Sequence, residues 1–337
     1  MQNDMRNEMQ NDIQIRNITA EDVWSRIPQR KQDSHKGTFG KALCVAGSSR
    51  YRGAASLTIE GALRSGCGIV TLASVEEVFP SIQARLPECI LLLCEHDKDG
   101  GISDSNLEKL CKERDNDYSA LLMGPGMGNT ASTAGLVREL ASTASCTVIL
   151  DADALNSLTY GTSPSRPGSL PGTGTGSSAA ASGAFNPEGP FPGAIPHPAG
   201  GHKAIITPHP GEMARLCGCT IADIKAAPEK ISLSFAKQND CIVVLKGHRT
   251  LVASPDGQLW RNTTGNSGLA RGGSGDILAG MTASLAAQHL DPMSVAICAV
   301  WLHGEAAVKC SMRKSQTAML PHDIFEDLGQ LFLERKL

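Results

Sequence analysis

Seven short apolar runs, several bounded by Gly, Pro or Asp, narrow what this chain can fold into. They lie at 41–46 (KALCVA), 68–73 (GIVTLA), 89–94 (CILLLC), 120–123 (ALLM), 147–150 (TVIL), 204–207 (AIIT) and 241–245 (CIVVL). Unbroken apolarity over so few residues suits strands buried on both faces. Helical spacings fall between them, at 54–65, 131–144, 211–216 and 224–237. Segments 250–253 and 258–261 flank Asp256-Gly257 and read as a hairpin. From Ser274 the chain reads as helix to 289, again over 292–312, and finally over 323–333. Alternation of this kind predicts an α/β fold with a mostly parallel sheet covered by helices on both faces. Ligands of such sheets collect at the carboxyl ends of the strands.

Two regions stand outside that pattern. Residues 1–17 are rich in Asn, Gln, Asp and Met and lack the apolar content to fold alone, so they read as a flexible tail. Residues 161–201 are dominated by Gly, Pro, Ser, Thr and Ala. They read as a low-complexity surface insertion or as a linker between domains. Because the alternation continues across them, an insertion within one catalytic domain spanning 18–337 is the better expectation.

Composition excludes some classes of partner. A net charge of −3 leaves no electrostatic footprint for nucleic acid, and 4% aromatic residues offer little for base stacking. The 11 cysteines are scattered, odd in number and without a CxxC pair, as expected of reduced cytoplasmic thiols. No signal segment opens the chain and no apolar run approaches membrane-spanning length, so a soluble protein is expected.

The chemistry-bearing residues follow the apolar runs. Ser48 and YRGAA (51–55) come after the first, GPGMG (124–128) after the fourth and DADALN (151–156) after the fifth. TPHPGE (207–212) closes the sixth, and KGHRT (246–250) follows the seventh. Singly each is a turn; five on one sheet edge imply a cleft. The segment NSGLARGGSGD (266–276) then leads into the apolar run ILAGM. Its glycines let backbone amides approach a ligand, and residues 273–276 fall at a helix start, where free amides and the dipole favour an anion. An Asp there repels phosphate unless it has a task, and Asp276 fits a base that takes a proton from a hydroxyl beside a phosphoryl group. Lys246 suits a phosphate contact, with Gly247 admitting the backbone. Glu212 suits Mg²⁺, directly or through water. His209 is presented outward between two prolines, for a substrate contact or for helix capping. Asp151 and Asp153 are further metal candidates, and Asp153 also reads as the N-cap of a helix that Ala154 begins.

Together GTFG (37–40), YRGAA, GPGMG, DADALN, TPHPGE, KGHRT and NSGLARGGSGD resemble the ADP/ATP-dependent NAD(P)H-hydrate dehydratases of the ribokinase-like superfamily. The resemblance covers residues 34–304 apart from the insertion. It implies a three-layer α/β/α sandwich without a separate lid domain. It also implies repair of hydrated NADH and NADPH: nucleotide phosphorylates the ring hydroxyl, and phosphate is then eliminated to restore the double bond. Bacterial members typically use ADP, yielding AMP, and eukaryotic members use ATP.

On this chain the resemblance implies nucleotide contacts from Lys246, Gly247, His248, Arg249, Thr250 and Gly275. Ala55, Gly126, His209 and Asp276 would contact the hydrated dinucleotide, with Asp276 as the catalytic base. It further implies Mg²⁺, a homotetramer and a separate NAD(P)H-hydrate epimerase as working partner. Fold alone does not separate this from a small-molecule kinase of the same superfamily. His209 stands where related vitamin kinases have Asn, and together with YRGAA and GPGMG it favours the dehydratase. A non-catalytic nucleotide sensor is disfavoured by the intact Asp276.

Overall fold

The computed structural model describes residues 13–160 and 185–335. Its strands are β1 (Ile15–Asn17), β2 (Lys41–Val45), β3 (Ile69–Ser74), β4 (Ile90–Leu93), β5 (Ala120–Met123), β6 (Thr147–Leu150), β7 (Ala204–Ile206), β8 (Ile242–Leu245), β9 (Leu251–Ala253) and β10 (Leu259–Arg261). The helices are α1 (Ala20–Trp24), α2 (Arg52–Arg64), α3 (Phe79–Arg85), α4 (Leu107–Arg114), α5 (Ala131–Ser142), α6 (Ala152–Leu158), α7 (Pro210–Cys217), α8 (Ile221–Ala226), α9 (Pro228–Gln238), α10 (Ser274–Ala287), α11 (Pro292–Lys314) and α12 (Ile324–Glu334).

All ten strands form one sheet in the order β1-β10-β9-β8-β7-β6-β5-β2-β3-β4, and only β9 runs against the rest. The seven apolar runs are the parallel strands β2 to β8. Strands β5, β6, β7 and β8 are buried throughout, which is why they read as unbroken apolar runs. The chain steps from β2 to β3 in one direction and later to β5 in the other. Right-handed crossovers therefore place α2 and α3 on one face and the helices α4 to α9 on the opposite one. Helix α10 packs on α2, α11 on α10, and α12 on α11, completing the first face. The α2–α10 contact is main chain to main chain: a Cβ on Gly280 would stand 2.0 Å from the Thr58 carbonyl oxygen. The reversal of direction between β2 and β5 marks the crevice in which such sheets bind ligands. Among the described residues no lid domain stands apart from the sheet.

Three expectations need correction. The tail expected over 1–17 ends earlier: residues 1–12 lie outside the described residues, but β1 pairs with β10 and Thr19 caps α1. Edge pairing uses main-chain groups, so a polar composition did not reveal it. Arg16 also lies over the Trp260 ring, 4.3 Å from its centroid. The insertion expected over 161–201 is narrower as well. Residues 161–184 lie outside the described residues, whereas Phe185, Phe191 and Ile195 pack on the core, with Phe191 5.1 Å from the Phe235 ring. The single helix expected over 224–237 is two, because Pro228 cannot continue α8 and starts α9 instead.

Helices α1, α3 and α4 were not anticipated; each has at most 8 residues, too few for a clear period. Helix α11 is the one described helix long and apolar enough to cross a membrane, and most of it is buried in the core.

Candidate active site

Three neighbouring strands deliver the charged part of the site. Asp151 follows β6, Thr207 follows β7 and Lys246 follows β8. The Lys246 ammonium lies 2.6 Å from Asp151 Oδ1 and 3.9 Å from Glu212 Oε2. Thr207 Oγ1 donates to the same Asp151 oxygen at 2.7 Å. Burial works against the charge of Lys246, but Asp151 and Glu212, assisted by Asp276, outweigh it and raise its proton affinity. Glu212 is pushed upward by its own burial, with Lys246 opposing.

Helix α10 brings the fourth group. Its N-cap is Gly273 in a left-handed conformation with no side-chain cap; the Ser274 amide donates to the Arg271 carbonyl at 3.4 Å, and the Gly275 and Asp276 amides that follow take no side-chain cap. Asp276 sits in this first turn. Burial, then the Asp151 charge, lift its carboxyl from 3.8 to about 6, with Lys246 pulling the other way and Asp153 and Glu212 adding to the rise. Gly275 is what lets the turn come close: a Cβ there would lie 3.3 Å from the Lys246 nitrogen. A carboxylate of raised proton affinity beside a lysine and free helix amides has the features of a general base at an anion site.

Of the two roles weighed for His209, helix capping is the one the structure shows. It caps α7, with Nδ1 accepting from the amides of Gly211 at 2.9 Å and Glu212 at 3.3 Å. Its half-exposed ring also turns Nε2 to Glu212 Oε1 at 3.3 Å. Burial and the Lys246 and Arg215 charges lower its pKa to about 4, so the ring is neutral at physiological pH. Glu212 in turn accepts from the His209 amide at 2.7 Å.

Small residues shape the GPGMG turn and the start of α2. Gly126 (φ +63°) lies against the start of α2, where a Cβ would come within 2.7 Å of Tyr51 Cβ and 2.8 Å of Ala54 Cβ. Ala55 is fully buried under Gly47, so it shapes the wall from behind. The GPGMG turn is joined to β2 through the Gly47 amide and the Pro125 carbonyl, and to α6 through Gly128 and Asp153.

With this geometry in hand, comparison with known proteins is decisive. A family model described as NAD(P)H-hydrate dehydratase matches residues 42–169 and 195–330. The chain belongs to this family. It is 35% identical over 316 residues to an ADP-dependent (S)-NAD(P)H-hydrate dehydratase of Bacillus subtilis, covering 93% of this chain and 96% of that protein. It is 34% identical over 311 residues to a bifunctional NAD(P)H-hydrate repair enzyme of Moorella thermoacetica, covering 92% of this chain. The chain spans about half the length of that bifunctional relative, 52%. A crystal structure of the Bacillus subtilis ADP/ATP-dependent dehydratase, co-crystallised with ATP and Mg²⁺, superposes with a TM-score of 0.75 at 32% identity, covering 95% of this chain and 99% of that one. The ribokinase-like fold and the hydro-lyase class are thereby established.

Of the residues singled out in this dehydratase sequence, Lys246, Gly275 and Asp276 converge. His209 reaches them through Glu212. Gly247, His248 and Arg249 are exposed and line a separate cleft of about 330 Å³ with Lys246, Ile224, Pro228 and Arg261. Thr250 stays at its rim, its hydroxyl donating to the Gly247 carbonyl at 3.2 Å. Asp151, weighed as a metal ligand, is the partner of Lys246. Nothing local signalled that pairing, because the two residues are 95 positions apart on strands separated by β7. Among the described residues no group of three His, Cys, Asp or Glu side chains is arranged to hold a metal. Glu212, already engaged by His209 and Lys246, suits Mg²⁺ held through water better than direct ligation.

Proposed function

We propose that this chain dehydrates the hydrates of NADH and NADPH with ADP as phosphoryl donor, returning the reduced coenzyme with AMP and phosphate. The observation that carries this reading is Asp276. It lies in the first turn of an uncapped helix, with a proton affinity near 6, and Gly275 beside it abuts Lys246. Ionised at neutral pH, it takes the proton of the ring hydroxyl. The resulting oxygen attacks the terminal phosphoryl group and AMP leaves. The Gly275 and Asp276 amides face the charge gathering on the transferred group. Phosphate then leaves with the C–O bonding pair while the neighbouring ring carbon gives up a proton to water, and the C–H bonding pair becomes the restored ring double bond.

The nucleotide lies along Lys246, Gly247, His248, Arg249, Thr250 and Gly275, with the cleft beside His248 taking its far end. The hydrated ring lies between Asp276, His209, Gly126 and the wall shaped by Ala55. Mg²⁺ bound to the nucleotide phosphates would reach Glu212 through water and neutralise phosphate charge; the surplus of carboxylates over Lys246 suits a cation there. ADP as donor is supported by the Bacillus subtilis relative, whose crystals with ATP and Mg²⁺ keep ATP as an alternative donor. A homotetramer, cytoplasmic location and a companion hydrate epimerase belong to the same proposal, the last supported by the unmatched half of the bifunctional relative.

The test is incubation with hydrated NADH or NADPH and either ADP or ATP. Recovery of reduced-nicotinamide absorbance with release of AMP is expected. No recovery with either donor, or a stable phosphorylated product, would return the chain to the kinases.

A further inference from the structure

The glycine-rich turn before α10 has no cap of its own, so its shape must be imposed from outside. Helix α11 supplies much of that support. Asn262 Nδ2 donates to the Val300 carbonyl at 3.0 Å, Thr264 Oγ1 to Trp301 at 3.2 Å, and Asn266 Nδ2 to Ala307 at 2.8 Å. Gly304 allows the approach, since a Cβ there would meet Thr264 Oγ1 at 2.3 Å. These contacts fix 262–266 and leave the last residues before Asp276 to be held by something else.

His303 lies at the centre of this seam. It is 7% exposed in an otherwise apolar stretch of α11, and its ring reaches the main chain of Ser274, the first residue of α10. Its Nε2 and the Ser274 hydroxyl are both buried without a hydrogen-bond partner. An orphaned buried atom on each of these two residues asks for a reason, because an apolar residue at 303 would pack without that cost. Burial, with Lys246 assisting and Ser274 opposing, lowers the pKa of the imidazole to about 4, so it stays neutral whenever the site works.

We propose that His303 is a positioning residue for phosphoryl transfer: through Ser274 it holds the first turn of α10, keeping the Gly275 amide and the Asp276 carboxylate in register with Lys246. This rests on Asp276 being the base. Small displacements at such a site cost up to about a hundredfold in rate.

The test compares His303→Leu with His303→Asn, which keeps a neutral hydrogen-bonding group. For the leucine variant kcat should fall about 30-fold and ADP affinity severalfold, with KM for the hydrated coenzyme nearly unchanged. Its acid limb should also move below 6, as water reaches Asp276 among Asp151, Asp153, Glu212 and Lys246. The asparagine variant should recover most of the rate. Should the leucine variant not fold, AMP titration of wild-type protein labelled at histidine decides: the His303 ring signals must shift. A leucine variant with normal kcat and ADP affinity, an asparagine variant equally impaired, or ring signals indifferent to AMP would overturn the proposal. Failure of the base reading shows separately, as an active Asp276→Asn; ADP affinity in His303→Leu still reports on the turn.

Discussion

At the carboxyl ends of β6, β7 and β8, the carboxylates Asp151, Glu212 and Asp276 gather around one ammonium, Lys246. At the amino end of β8 a second cavity opens between the β9–β10 hairpin and the start of α11. It is the larger, about 500 Å³, yet its charges are settled individually. Lys203 pairs with Asp240 at 2.5 Å, Asp256 accepts from Ser254 and Gln258, and Asp291 caps α11 through the Ser294 amide at 3.0 Å. Volume therefore does not locate the chemistry in this fold. What distinguishes the working end is burial of carboxylates that share one cation: burial first, then the neighbouring Asp151 charge, raises the proton affinity of Asp276 and Glu212 against the pull of Lys246 and leaves the cluster responsive to a ligand.

The largest expected effect breaks that contrast at the working end. Asp276→Asn removes the base while keeping the shape, and kcat/KM should fall about a thousandfold in the coenzyme-recovery assay. Loss of less than tenfold would assign the proton to another group. Next comes Lys246→Met, which strips the carboxylates of their cation and should lower kcat about a hundredfold. ADP binding by calorimetry should weaken in parallel.

Asp276→Asn should also make the protein more stable. The folded state raises this carboxyl from 3.8 to about 6, so its charge costs stability above pH 6, and the cost fades as pH falls through 6 toward 4. At pH 8 the variant should therefore gain about 2 kcal/mol in denaturant unfolding. The gain should shrink at pH 5, and an equal gain at both pH values would contradict the assigned cause. Wild-type activity should follow the same group, rising with pH through about 6.

How much of this was legible in the sequence follows from what each residue depends on. Strands β5 to β8 declared themselves because burial on both faces demands unbroken apolar runs, β4 showed such a run although it lies half-exposed at the sheet edge, and the site candidates stood out because they sit just past the runs. Asp276 stood out as an acid where the backbone favours an anion. Contacts set by strand order were not legible: Lys246 on Asp151, β1 on β10, and His303 under Ser274 each join distant segments without a local signature. The packing of Phe185, Phe191 and Ile195 was hidden by their low-complexity surroundings.

At the GPGMG turn, Gly126→Ala tests whether close packing shapes the substrate side. The added Cβ would press on Tyr51 and Ala54 from a left-handed conformation, so the start of α2 must retreat. KM for the hydrated coenzyme should rise about tenfold while ADP affinity holds. A matching loss of ADP affinity would mean that the two walls are not independent.

The smallest effect belongs to the far cavity and makes the comparison a controlled one. Asp240→Asn breaks the pair with Lys203, an exposed contact worth at most about 1 kcal/mol because water screens both partners. The same chemical change as at position 276 should leave kcat, KM and the pH profile unaltered. It relieves no shared charge, so it should bring no pH-dependent gain in stability either. If Asp240→Asn instead depressed turnover, the two ends of the sheet would be coupled through β8, whose residues Ile242 and Leu245 line the far cavity and the cleft beside His248 in turn. Isolation of the charge cluster would then no longer explain why only one end of the sheet is reactive.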